Sequence, residues 1–151
     1  MNRRQFTKCL AALGALSLPG ARAFSSNRRG KVAMKITDVR TVPVSQYLFV
    51  QVLTNEGITG LGESGAWGFL EASEQAVQTF RRYLIGQDPL RIEHHWQYLY
   101  RSTHFTGSAI MGALSAIDIA LWDIAGKYFG VPSYQLFGGK CRDKARVYYH
   151  V

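Results

Sequence analysis

Residues 107–127 read GSAIMGALSAIDIALWDIAGK, about six helical turns at ~3.6 residues per turn, with no proline to interrupt them. Ile110, Met111, Leu114, Ile117, Leu121, Ile124 and Ala125 recur at i, i+3 and i+4 and make one broad apolar face. The opposite face is also small or apolar, with Ala109, Gly112, Ala113, Ala116, Ile119 and Ala120. A helix apolar on nearly all sides is buried on nearly all sides. The rest of the chain is short for that task, so the pattern predicts a helix that this chain covers only in part.

Upstream of that helix the chain changes period. Residues 34–63 read as a three-stranded antiparallel meander. The first strand covers residues 35–42, and a turn at Pro43-Val44-Ser45-Gln46 follows, because Pro43 cannot donate to a ladder. The second, residues 47–54, alternates: Leu48, Val50 and Val52 on one face, Phe49, Gln51 and Leu53 on the other. Asn55-Glu56-Gly57 is a short hairpin loop, with Gly57 at positive φ. The third strand, residues 58–63, carries Gly60 and Gly62, a sign that other backbone passes close.

A glycine-flanked loop, Ser64-Gly65-Ala66-Trp67-Gly68-Phe69, leads into two helices. Residues 70–84 bury Ala76, Val77, Phe80 and Leu84, and Gly86 stands where a C-terminal cap belongs. The second helix is predicted to open on Asp88 as N-cap and Pro89 as first residue, with Ile92, Trp96, Leu99 and Tyr100 as its apolar face. Beyond the long helix, residues 132–137 make one short turn closed by Gly138-Gly139. Residues 145–151 read as a last strand, rich in β-branched and aromatic side chains. The pattern is α+β: a meander, a helical bundle, and a final strand with nothing after it to pair with. No repeat of solenoid length is present.

The N-terminus differs in kind. A basic start, Arg3, Arg4 and Lys8, precedes an apolar run over residues 10–18. Pro19-Gly20 breaks the run, and Ala21-Arg22-Ala23 has small residues where a signal peptidase needs them. The run is too short to span ~30 Å of hydrocarbon. Arg-Arg followed by Phe6 and Lys8 resembles a twin-arginine export signal, which implies a periplasmic destination. Residues 1–23 are thus a leader, and residues 24–33, polar and basic, a linker.

The net charge of +8 invites a nucleic-acid reading, but its distribution argues against one. Arg3, Arg4, Lys8, Arg22, Arg28, Arg29 and Lys31 all lie in this N-terminal stretch, leaving eleven basic against ten acidic side chains in the rest. A near-neutral body lacks the electrostatic footprint of nucleic-acid binding. Of the two cysteines, Cys9 is in the leader and Cys141 is alone, so no internal disulfide is expected and the compartment stays open on that count.

Residues 113–138, ALSAIDIALWDIAGKYFGVPSYQLFG, resemble the signature segment of the mandelate racemase and muconate-lactonising group of the enolase superfamily. The likeness rests on Ser115-Ala116-Ile117-Asp118, Ala120-Leu121-Trp122-Asp123, Gly126-Lys127, Pro132 and Leu136-Phe137-Gly138. Upstream, Thr54 to Gly57, Gly60 to Glu63 and Ile85 to Pro89 extend it. Ser133 departs from the aliphatic residue usual after that proline. With Trp96-Gln97 and Tyr100-Arg101, the segment Ile85 to Pro89 looks most like the galactonate and mannonate dehydratase branch.

The resemblance implies a capping domain over residues 34–138, and over residues 139–151 the first strand of a (β/α) barrel that lies downstream. It implies an enzyme that abstracts a proton α to a carboxylate with a Mg²⁺ ion and a Lys or His base, all carried by later barrel strands. It also implies an acid-sugar or other carboxylate substrate and a homo-oligomer. No catalytic or metal-ligating residue is then expected in this chain. Substrate contact is expected from the cap loop, through Trp67 and Ser64, and from His150 at the end of the first barrel strand. The turn at Ser45-Gln46-Tyr47 is the other half of the lid and is short here. Two alternatives stay open: a racemase, epimerase or cycloisomerase of the same group, or a non-catalytic binding module built on the cap fold.

Read from the residues alone, Asp118 and Asp123 point in different directions on the helix, and Asp123 with Lys127 makes an i,i+4 pair. Both are expected to be structural. His94 and His95 are adjacent and cannot share a helix face as metal ligands would, so both read as solvated or half-buried.

Overall fold

A computed structural model of the chain describes residues 33–148. The predicted leader, nearly all of the linker, and His150 lie outside the described residues.

The order of elements is β1 (Ile36–Val44), β2 (Tyr47–Thr54), β3 (Thr59–Ser64), α1 (Leu70–Leu84), α2 (Ile92–Ser102), α3 (Ser108–Phe129) and the single turn α4 (Ser133–Leu136). The strands form one antiparallel sheet in the order β1-β2-β3. The architecture is α+β, a meander followed by helices, as the sequence pattern predicts, and the helices pack on one face of the sheet.

Leu48, Val50, Val52 and Thr54 of β2 are buried, while the alternate residues Tyr47, Phe49, Gln51 and Leu53 are half-buried on the far face. In β1 both Ile36 and Val39 are buried, although strict alternation would put them on opposite faces. A register shift between Ile36 and Asp38 resets the parity and turns both inward. Asp38 then faces α1, where its carboxylate takes Arg40 Nε at 2.8 Å and Arg81 Nε at 2.9 Å. These guanidinium bonds, Arg40 first, hold the carboxyl below its ordinary pKa.

One expectation fails at the first hairpin. β1 runs through Pro43, paired with Leu48, and through Val44, paired with Tyr47, leaving only Ser45 and Gln46 in the turn. The physical reason is position. β1 is an edge strand, and Pro43 sits one residue from the hydrogen-bonded pair that closes the hairpin, where the backbone nitrogen faces outward and owes the ladder nothing. Ser45 takes a φ of 54°, as tight hairpin turns require. At the second hairpin Gly57 has a φ of 76°, as expected.

α3 lies across the sheet. A Cβ on Gly62 would fall on the carbonyl oxygen of Ala116, and one on Gly60 would fall on that of Ala120 and lie 2.8 Å from Ile124 Cγ1. The two glycines therefore let helix backbone touch strand backbone, the close passage that the sequence predicts. α3 is clamped at the open edge of β3 as well. Asp123 Oδ2 accepts Leu61 N–H at 2.9 Å and Lys127 Nζ at 2.7 Å, and Lys127 Nζ also donates to the Thr59 carbonyl at 2.7 Å. The predicted i,i+4 pair is thus part of a strand-edge cap.

Sheet, α1 and α2 cover most of α3, burying Ala113, Leu114, Ala116, Ile117, Ala120, Leu121, Ile124, Ala125 and Gly126. By length and composition α3 could cross a membrane, but half of its most apolar window is buried inside this fold. The chain covers more of its long helix than the sequence reading expects. Away from its two ends, what remains open is one stripe at helical spacing, Ser115 and Ile119 exposed and Asp118 and Trp122 half-buried, with Ile119 47% exposed. Beside it a cleft of about 340 Å³ is lined by Leu61, Ile119, Trp122 and Phe137 among others. Burial, with Glu93 nearby, pushes the Asp118 carboxyl above its ordinary pKa.

Three further corrections concern the helices and the tail. α2 begins at Ile92, not at Pro89. Asp88 Oδ1 accepts the N–H of Leu90 at 2.9 Å, two residues on, which closes an Asx-type turn instead of capping a helix. His95 is not half-buried but fully enclosed. Residues 145–148 belong to no strand. Ladder hydrogen bonds define a strand, and the three-stranded sheet does not take this segment in; residues 149–151 lie outside the described residues.

Candidate functional site at the loop end of the sheet

The hairpin registers decide which loops meet. Leu48 pairs with Ser64, so the β1–β2 turn and the β3–α1 loop emerge at the same end of the sheet. The loop over residues 65–69 is built from short local bonds: Trp67 N–H to the Gly65 carbonyl at 2.9 Å, and Phe69 N–H to the Ala66 carbonyl at 3.2 Å. Ala66 is its inward anchor, 6% exposed and packed at Gly112 of α3, where a Cβ would stand 2.9 Å away. Gly68, at a φ of 83°, completes the reversal into α1.

With Ala66 held, Trp67 points out. It is 65% exposed and does not fold back on the helices. Its ring meets Tyr47 edge-on, centroids 6.4 Å apart at 84°, a favourable aromatic geometry. Tyr47 also lies 6.5 Å from Phe49, and Gln46 Nε2 donates to its hydroxyl at 3.2 Å. Phe69, 62% exposed, is the second aromatic of the same loop. The two loops thus present one aromatic lip with a phenol and an amide at its margin. Such a surface can stack on an apolar face of a small molecule and hydrogen-bond at its edge.

Of the two loop residues expected to touch substrate, Trp67 is exposed and Ser64 is not. Its side chain is fully buried against α3, and its hydroxyl has no hydrogen-bond partner among the described residues. An alternating strand that points Glu63 outward must point Ser64 inward. Replacing a buried hydroxyl that bonds to nothing removes a desolvation cost, so Ser64→Ala is expected to raise stability by about 1 kcal/mol. A melting temperature below that of the parent would contradict this placement. His150 lies outside the described residues. The turn ending at Tyr47 is the expected other half of a lid; what the residues alone do not give is the contact of its ring with Trp67, and the strand register is the signal that could have found it.

No three His, Cys, Asp or Glu side chains converge as metal ligands among the described residues. These residues do not fit a Mg²⁺ ion, and no chemical step is assigned to one held here.

The arrangement has relatives. The chain is 48% identical over 117 residues to a D-galactonate dehydratase of Variovorax paradoxus, covering 76% of this chain and 31% of that protein. A solved member of the enolase superfamily from Salmonella Typhimurium superposes with a TM-score of 0.72 at 38% identity, covering 76% of this chain and 31% of that one. An enolase from Agrobacterium radiobacter, solved with Na and L-malate bound, gives a TM-score of 0.71 at 33% identity, over 75% and 30%. The chain spans about a third of the length of the curated relatives it matches. Residues 22–138 match the N-terminal domain of mandelate racemase / muconate lactonizing enzyme, and the chain belongs to that family, within the enolase superfamily.

Proposed function

We propose that these residues form the substrate lid of an exported acid-sugar dehydratase. In the whole protein a barrel following Val151 would carry the Mg²⁺ ion, the base and the acid that acts on the leaving hydroxyl. The observation that supports a lid is the edge-to-face meeting of half-buried Tyr47 and exposed Trp67, from two loops at one end of the sheet. Likeness to D-galactonate dehydratases supports an aldonate-like substrate and the loss of water as the reaction. The open stripe of α3 and the adjoining cleft support a further body of protein resting there. Export rests on the twin-arginine resemblance around Arg3 and Arg4.

The test uses the full-length protein with Mg²⁺ and a panel of aldonates and aldarates. Formation of the 2-keto-3-deoxy product is expected. Exchange of the α-proton with retention of every hydroxyl would instead mark a racemase or epimerase. Trp67→Ala removes binding surface but no reacting group, so KM is expected to rise about tenfold with kcat little changed, a loss of about 1.4 kcal/mol. A KM within twofold of the parent on every substrate turned over would remove Trp67 from the lid. Activity should partition into the periplasmic fraction, and strictly cytoplasmic activity would overturn the export part.

A further inference from the structure

His95 is the titratable group that neither the lid nor the chemistry of a barrel uses. Of the two adjacent histidines of α2, only His95 falls on the buried stripe with Ile92 and Leu99, and none of its surface reaches solvent. Its two ring nitrogens are both engaged, and by different parts of the fold. Nε2 lies 2.8 Å from the carbonyl oxygen of Asp88 in the turn before α2. Nδ1 lies 2.9 Å from the hydroxyl of Tyr83 on α1. A carbonyl can only accept, so Nε2 carries the proton, and Nδ1 accepts from the Tyr83 O–H. The Tyr83 ring stands edge-on to the imidazole at 5.6 Å and stacks on Tyr98 at 3.9 Å and 16°. One neutral imidazole therefore ties α1, the connecting turn and α2 together.

A second proton would strain this arrangement. It would go to Nδ1, force the Tyr83 hydroxyl to turn from donor to acceptor, and put a full charge on a ring with no exposed surface. The surroundings give that charge little help. His94 beside it on α2 and Arg91 on the turn oppose it. The Asp88 carbonyl at Nε2 favours it, as does the Asp88 carboxylate, whose Oδ1 is already bonded to Leu90 N–H, but burial outweighs both. On α3, the titratable group towards α2 is Asp118, which interacts with Glu93. We propose that His95 is an acid-sensitive latch: neutral, it locks α2 and the 88–91 turn onto α1, and on taking a second proton it releases them while the sheet and α3 stay folded. This goes beyond the lid reading and does not depend on it.

Burial, the largest cause, lowers the His95 pKa from its ordinary 6.5. The open form therefore binds more protons than the closed one below that value. The stability of the closed latch is complete above pH 6.5 and is lost as pH falls from there towards the lower, folded pKa. Within that window one proton linked to opening raises the opening constant by up to about tenfold per pH unit.

Hydrogen exchange on the full chain, corrected for intrinsic rates, tests this between pH 7.5 and 5. Protection of α2 and of residues 88–91 is expected to fall severalfold, by no more than about tenfold per pH unit, while β2 and α3 keep theirs. His95→Gln should abolish the pH dependence. Tyr83→Phe keeps the ring stack but removes the donor that favours neutral Nδ1, and should move release to higher pH. The ring titration of His95, followed by NMR in the unmodified chain, serves even if the Gln variant does not fold. A His95 that titrates at or above 6.5, α2 and β2 losing protection together, or an unchanged pH profile in His95→Gln would each overturn the proposal.

Discussion

Gly62→Ala is expected to destabilise the chain by about 3 kcal/mol or more, the upper end of the range for overpacking. The added methyl would occupy the place of the Ala116 carbonyl oxygen, and the next nearest group, Ala120 N, is 3.1 Å away. Both are helix backbone. No rotamer change can make room, so α3 must lift from β3 or the strand must bend. Either motion loosens the contacts of Ile117, Leu121 and Ile124, all essentially without exposure. With domain stabilities of about 5–15 kcal/mol, a large share of the total would go. Gly65→Ala is the control, because nothing lies within 4 Å of its added Cβ and its φ is not in the left-handed region. Urea unfolding of both variants decides the matter. Equal midpoints would show that helix and strand do not touch as closely as they are placed.

The second large effect separates two isoleucines on one helix. Ile117 is 1% exposed in the core and Ile119 is 47% exposed on the open stripe. Ile117→Ala should cost about 2–5 kcal/mol through lost burial and the cavity left behind. Ile119→Ala should cost well under about 1 kcal/mol in this chain, since its side chain is already half in water. The same denaturation assay reads both. A comparable loss at the two positions would mean that α3 is rotated about its axis from the orientation described.

Much of this could be read from residue order. The alternation of Leu48, Val50 and Val52 specified the buried face of β2, and the glycines at 60 and 62 announced the helix that crosses them. The lip residue Trp67 stood out because nothing periodic buried it. What escaped were features decided by distant partners. Pro43 enters β1 because that strand is an edge, which depends on where the third strand lies. Asp88 serves a turn instead of a helix because its carboxylate finds Leu90 N–H first. His95 reads as a polar residue until Tyr83, twelve positions away, is brought onto its ring. The contact of the Tyr47 ring with Trp67 follows only from the pairing of Leu48 with Ser64.

Both margins of the sheet are spoken for. On the β1 side Ile36 N–H donates to the Gln87 carbonyl at 2.9 Å and the Ile36 carbonyl accepts Gly86 N–H at 2.8 Å. On the β3 side Asp123 and Lys127 take up Leu61 N–H and the Thr59 carbonyl. An incoming peptide would find no unbroken row of donors and acceptors to zip against. Joining two copies of this sheet edge to edge would first have to break the Ile36 bonds at β1 or those of Asp123 and Lys127 at β3.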